Sequence, residues 1–284
     1  MFYIFIVLTK PNYIERIKQT DDTYVSNCFY GLRNEIITYI SSLFNKIIRN
    51  PADELEVLST INEYQINVTL QMIKEFAVAQ RINLNTMDVI LSLFQKNDKI
   101  ICESHSRVNS ERNGYLPRKQ CLFTKTNFLP AIMENPNRAD FLNMFYHINN
   151  TIESTHSLYI VCPDNNENNQ DRYILLVVRF DTKQIYCFDP KSNPNQIQAQ
   201  FARFQNSLNT FLPRLHDTFN GPWICIAHPN ITYQLLENDF DCALYIAYAI
   251  LLDYYEVPVH LYIDMMERAR LKFSHWLLCG EIII

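Results

Sequence analysis

The stretch Asn238-Asp239-Phe240-Asp241-Cys242-Ala243-Leu244-Tyr245, continued by Ile246-Ala247-Tyr248-Ala249-Ile250-Leu251-Leu252, decides how the chain is read. From Cys242 to Tyr255 the run is almost wholly apolar. It is too short to cross a bilayer, which takes about 20 apolar residues. A helix of this composition has no polar face, so it is predicted to lie at the centre of the molecule, packed on all sides. Cys242 heads that helix directly after Asp241. The start of a helix carries about half a unit of positive charge, which favours thiolate over thiol. The other reading of Cys242 is a small apolar core residue, because free cysteine is among the most buried types.

Working outward, Arg172 to Phe180 (RYILLVVRF) has the β-branched, continuous apolar character of a buried strand. Asp181-Thr182-Lys183 makes a turn into Gln184 to Asp189 (QIYCFD), and Pro190 ends this second strand of a hairpin. Ser157 to Cys162 and Trp223 to Ala227 read as further strands. Ile197, Phe201, Phe204, Leu208, Phe211 and Leu212 mark an amphipathic helix between the hairpin and Trp223. Upstream, Asn85-Thr86-Met87-Asp88 resembles a capping box, with an apolar face of Leu84, Val89, Ile90, Leu93 and Phe94. Residues 97–118 are polar and weakly periodic, which predicts a loop or connector. Asp164 to Asp171 (DNNENNQD) predicts an exposed loop. The first 80 residues are expected to be mostly helical after an opening strand, Phe2 to Leu8. Helices are predicted over Gly31 to Arg49, from Pro51, and over Ile61 to Ala79. The order of elements gives an α+β fold with a mixed or antiparallel central sheet.

Composition narrows the function. The 284 residues include 25 Lys and Arg against 30 Asp and Glu, a net charge of −5, so an extended phosphate-binding surface, and with it a nucleic-acid partner, is not expected. Only 4 residues are Gly, too few for Gly-rich phosphate loops. The 8 Cys show no CxxC pair and no paired metal spacing, so neither a zinc site nor another cofactor is expected. Phe2 to Leu8 lacks a basic leader and a small-residue cleavage site. The chain therefore reads as intracellular, without a membrane span. Asn, Ile, Tyr and Phe share AT-rich codons, and their excess points to an AT-rich genome, such as that of a large DNA virus.

The ordered set of motifs resembles the ubiquitin-like-protein proteases, the SUMO-specific and adenovirus-type cysteine proteases. Asn238 to Tyr245 is similar to their Asn-x-x-Asp-Cys-Gly-hydrophobic-aromatic motif, and the hairpin Arg172 to Ser192 is similar to their His-Trp-x-Leu strand, turn and aromatic-Asp-Ser strand. Leu84 to Phe94 resembles the helix that opens their catalytic domain. The resemblance implies a papain-like cysteine-protease fold of the SUMO-protease type, spanning residues 81–284 behind a helical region 1–80. It implies Cys242 as nucleophile and Asp189 as the acid that orients the base.

The departures from that pattern decide the expected activity. The position of the family's histidine falls on Arg172, and the following Trp is Tyr173. The oxyanion-hole Gln position falls on Leu236; the nearest Gln is Gln234, two residues early. The Gly after the nucleophile is Ala243. A cysteine protease needs a base that takes a proton near pH 7 and returns it to the leaving amine. A guanidinium, with a pKa above about 12, cannot do so. Arg172 can still pair with a Cys242 thiolate, or form a static ion pair with Asp189. Loss of an oxyanion donor adds ~3 kcal/mol to the barrier. His275 in His275-Trp276-Leu277-Leu278, His156 and His228 are the alternative bases considered; none fits the motif order. The expectation is a catalytically inactive protein of this fold, acting by binding a protein partner, by self-association as a homo-oligomer, or as a viral structural or occlusion-body-type protein. The alternative is an active thiol protease or isopeptidase acting through Cys242.

Overall fold

The computed structural model describes residues 38, 42, 56–61, 63–77, 81–109, 120–146, 155–164, 172–192, 194–215, 219–229, 231–233, 241–255, 259–261 and 266–282. The opening strand, most of the Gly31 to Arg49 helix, the start of a helix at Pro51, and Gln234 and Leu236 lie outside them.

A five-stranded mixed sheet in the order β3-β4-β5-β6-β7 forms the middle layer. Its strands are β3 (Gln120–Phe123), β4 (Thr155–Asp164), β5 (Arg172–Arg179), β6 (Gln184–Phe188) and β7 (Ile224–Ala227). The three inner strands run antiparallel, with Tyr159 opposite Val177 and Val177 opposite Tyr186. The edge strands β3 and β7 are parallel to their neighbours. β5 is central, and its side chains alternate between two cores. Tyr173, Leu175 and Val177 enter one, and Ile174, Leu176 and Val178 enter the other. Burial on both faces explains why the strand reads as continuous apolar sequence rather than as an alternation.

The first core is filled by α2 (Leu84–Asn109), α5 (Cys242–Tyr254) and α6 (Met266–Cys279), together with α1 (Leu70–Ala77). Every residue of α5 is buried, as its lack of a polar face predicts. Each fully buried Leu or Ile there contributes about 1.5–3 kcal/mol. The second core packs α3 (Phe128–Glu134) and α4 (Pro194–Leu215) on the opposite face of the sheet. The expected α+β architecture, with a mixed sheet and a buried helix carrying Cys242, is the one observed.

Two local expectations are corrected. Ile61 to Ala79 is not one helix. A hairpin, β1 (Val57–Ile61) with β2 (Ile66–Thr69), precedes α1. Ile61, Ile66, Val68 and Thr69 are β-branched, and pairing of Val57–Ile61 with Ile66–Thr69 satisfies the backbone that a helix would otherwise satisfy. Its turn places Gln65 at φ +54°, and the β5–β6 turn places Lys183 at φ +53°. A chain so poor in glycine thus pays the left-handed strain at ordinary residues. The hairpin and α1 share the core of α5, through Ile61, Val68, Ile73 and Phe76.

The loop expected from Asn97 is instead the second half of α2, which runs to Asn109. Its Asp98 is buried, and Asp98, Asn97 and, one turn earlier, Gln95 are paired. The Asp98 carboxylate accepts from Tyr254 Oη (3.0 Å) and from the Cys121 N–H (3.2 Å), and Asn97 donates to Tyr255 Oη (3.0 Å). Gln95 accepts from the Phe123 N–H (3.0 Å) and donates to the Cys121 carbonyl (3.3 Å). These side chains occupy backbone groups of β3 that the sheet edge would otherwise leave open. No helix among the described residues is long and apolar enough to cross a membrane.

Candidate active site

Three elements meet at the residues singled out above. β5 begins with Arg172, β6 hands over to Asp189, and α5 begins with Cys242. The hairpin register brings Leu175 opposite Phe188, so Arg172 and Asp189 lie together just beyond the paired residues. Arg172 donates from Nε to Asp189 Oδ1 (3.2 Å) and from Nη2 to Asp189 Oδ2 and to Ser192 Oγ (2.7 Å). Ser192 Oγ donates to Asp189 Oδ2, and the Lys191 N–H donates to Oδ1 (3.0 Å). Asp189 is 1% exposed. The carboxylate is thereby bonded on both oxygens, and the static ion pair between Arg172 and Asp189 is the arrangement that forms. Ser192, the last residue of the quoted hairpin, locks it.

The Cys242 sulfur is fully buried. It accepts from the Tyr173 N–H (3.2 Å) and donates to the Tyr173 carbonyl (3.3 Å). This dual contact ties the sulfur to the backbone of β5. Tyr173 is fixed in turn by its hydroxyl, which donates to the Ile82 carbonyl (2.9 Å).

Asp241 occupies the N-cap of α5 but makes no side-chain cap bond. Its carboxylate instead receives Arg270 Nη2 from α6. Arg270 Nη1 also donates to the Glu75 carbonyl (3.2 Å), in the last turn of α1. One buried guanidinium therefore closes the end of α1 and anchors the start of α5. Nothing local in the sequence marks Arg270, which lies far along the chain from both partners.

The histidines weighed as substitute bases are placed elsewhere. His228 Nε2 lies 3.0 Å from Asp253 Oδ1, at the far end of α5. His156 Nδ1 faces Asp181 Oδ2 at 3.7 Å, in the β5–β6 turn. His275 Nε2 lies 3.2 Å from Cys279 Sγ on α6. The structure thus pairs Arg172 with Asp189 and ties the Cys242 sulfur to the backbone of Tyr173, the residue after Arg172. Gln234, the candidate oxyanion donor, is outside the described residues. Among the described residues no group of three or more His, Cys, Asp or Glu is arranged to hold a metal ion.

No family model and no curated protein matches the chain in sequence. Solved structures do match. The SUMO protease Ulp1 with its catalytic cysteine oxidized to a sulfenic acid superposes with a TM-score of 0.64 at 14% identity, covering 89% of this chain and 97% of that one. The C-terminal Ulp1 protease domain in complex with Smt3, the yeast ortholog of SUMO, gives 0.65 at 15% identity over 89% and 97%. The Ulp1-like SUMO protease catalytic domain of Chaetomium thermophilum gives 0.63 at 14% identity over 90% and 93%. At this identity the likeness is one of fold, and the chain has the fold of the ubiquitin-like-protein proteases.

Proposed function

We propose that this chain is a catalytically silent protein of the ubiquitin-like-protease fold that binds a protein partner. The observation that carries the reading is Arg172. It stands where the resemblance places the catalytic histidine, and its guanidinium is spent on Asp189 and Ser192. A group that stays protonated through the whole working range can neither take the thiol proton nor protonate a leaving amine. The placement of His156, His228 and His275 against other partners supports the same reading. Binding needs none of this machinery, because an extended tail is gripped through its backbone and through pockets for its side chains. The Ulp1 domain of the same fold is seen in complex with Smt3. The partner class proposed here is therefore a ubiquitin-like protein with an extended C-terminal tail.

The test is a binding titration of ubiquitin-like proteins, with and without the tail, against the wild-type chain and Cys242→Ser, with the product followed by mass spectrometry. Tail-dependent binding of equal strength to both chains, with no cleaved product, is expected. Tail hydrolysis that vanishes in Cys242→Ser overturns the proposal in favour of an active thiol protease, the reading kept open by the retained Cys242 and Asp189. Absence of binding overturns the partner reading. The self-assembling version, a structural or occlusion-body-type protein of a virus with an AT-rich genome, is separated by sedimentation, since it requires concentration-dependent association of the chain with itself.

A further inference from the structure

A cleft of about 560 Å³ lies between the β1–β2 turn, α1, the start of α2 and the residues that follow β3 and precede β4. It shares no residue with the centre around Cys242. Asp88 is its half-buried acid. The Thr126 N–H (2.7 Å) and the Tyr146 hydroxyl (3.1 Å) both donate to Asp88 Oδ1, and the same hydroxyl reaches the Asp88 carbonyl (2.7 Å). Asp189, Asp241 and Asp253 each hold an arginine. Asp88, by contrast, is held by neutral donors and forms no ion pair among the described residues. The Tyr64 ring lies against that of Tyr146, with centroids 5.9 Å apart at 55°, and both rings line the cleft. The Tyr64 hydroxyl oxygen is buried without a hydrogen-bond partner. Ile66, Met72 and Val89 add apolar wall.

We propose that this cleft binds an organic cation, with a guanidinium or alkylammonium head against Asp88 and the rings of Tyr64 and Tyr146 and an apolar stem along Ile66, Met72 and Val89. A carboxylate withdrawn from water is normally matched by a positive charge, and here the chain supplies none in contact. Tyrosine faces attract a cation within about 6 Å of the ring centroid. A buried hydroxyl normally has a partner, and an N–H of the ligand gives the Tyr64 oxygen one. The volume falls within the roughly 300–1,000 Å³ of small-ligand sites. Two charges at the rim act on the same ion. Glu63 favours a cation but is already paired with Lys99. Lys125 opposes one, and its charge joins the two hydrogen bonds in offsetting the burial that holds the Asp88 carboxyl above its ordinary pKa. A cation bound beside Asp88 favours the ionised form.

Calorimetric titration of the full chain at neutral pH tests this with three probes: butylguanidinium, its neutral counterpart butylurea, and an arginine capped at both ends. Saturable binding of butylguanidinium is expected, with butylurea weaker by roughly tenfold or more, the loss that goes with a hydrogen bond to a charged group. Asp88→Asn keeps an oxygen for Thr126 and Tyr146 and is expected to weaken the guanidinium by a similar factor. Tyr64→Leu is expected to weaken it, and Lys125→Met to strengthen it, because a like charge is removed. Tighter binding of the capped arginine than of butylguanidinium assigns the cation to a side chain of a partner, and weaker binding assigns it to a free ligand; both orders support the cation site. Circular dichroism confirms that the variants are folded. The butylurea and Lys125→Met arms leave Asp88 in place and decide the matter if Asp88→Asn does not fold. No binding of either guanidinium by the wild-type chain, equal binding of butylurea, weaker binding in Lys125→Met, or undiminished binding in folded Asp88→Asn overturns the proposal.

Discussion

β5 and α5 lie side by side, and their two ends are built from similar parts to different effect. β5 begins with Arg172 and finishes with Arg179, and each arginine pairs with a buried carboxylate. At the first end the carboxylate is Asp189, with Ser192 alongside and the Cys242 sulfur held by Tyr173. At the far end it is Asp253, which receives Arg179 Nη2 on both oxygens (2.7 Å each), Tyr159 Oη (2.7 Å) and His228 (3.0 Å). The thiol therefore lies at one end of α5 and a buried acid–imidazole pair at the other. Asp253 lies eleven positions after Cys242, about 16 Å along the axis. Cys, His and Asp are all present, yet the imidazole is out of reach of the sulfur. Residue inventory does not make a catalytic centre; placement does.

Asp189 and Asp253 each accept four hydrogen bonds, but the partners of Asp253 come from three separate segments, β4, β5 and the stretch after β7, so breaking the far end is expected to have the larger effect. Asp253→Ala leaves Arg179 as a buried charge without its acid and strips partners from Tyr159 and His228. A loss of about 3–5 kcal/mol is expected in denaturant unfolding. Arg172→Met removes the base of the other pair, whose acid has neighbours from its own loop to fall back on. Asp189 keeps Ser192 and the Lys191 N–H, so about 1–3 kcal/mol is expected. A larger loss from Arg172→Met than from Asp253→Ala would reverse the comparison. Tyr159→Phe removes one hydrogen bond to a carboxylate and is expected to cost about 1.5–3 kcal/mol, or less if water fills the gap.

The smallest effect is a pH dependence of opposite sign at two places. Burial pushes the Asp253 carboxyl up, but the His228 hydrogen bond and the Arg179 charge outweigh it and leave the group below its ordinary value. A depressed carboxyl contributes stability that is present above its unfolded pKa of about 3.9 and lost as pH falls through the folded value. Glu75, bonded to Asn83 and buried, is held above its ordinary value by desolvation. Its contribution is full below the unfolded value of about 4.3 and fades as pH rises through the folded one. Stability is expected to rise slightly from neutral to mildly acidic pH and then fall. Glu75→Gln is expected to flatten the first limb and Asp253→Asn the second, both read from unfolding midpoints across pH.

What could be read in the sequence followed from how local each feature is. The helix at Cys242 and the hairpin from Arg172 announce themselves because their apolar runs are contiguous, and the order of motifs carried the fold. The Arg172–Asp189 pair followed from that alignment, since both ends of one hairpin are close by construction. Arg270 did not, because it reaches Asp241 only through the packing of α6 on α1 and α5. The second half of α2 was hidden for a related reason. Asp98 and Gln95 look like surface residues in sequence, and only the neighbouring strand β3 shows why they are buried. The Asp253 cluster combines β4, β5, α5 and the segment after β7, with no spacing that links them in the sequence.

The proposed catalytic silence rests on Arg172 standing at the position of the family's histidine, with His156, His228 and His275 held by other partners. Its most direct measurement is labelling of Cys242 at pH 7 by a ubiquitin-like protein carrying a C-terminal electrophile, followed by mass spectrometry in the wild-type chain and in Arg172→His. The account predicts no Cys242 adduct in wild type, and a gain in Arg172→His, where an imidazole enters beside the thiol. Rapid adduct formation at Cys242 in the wild-type chain would contradict it.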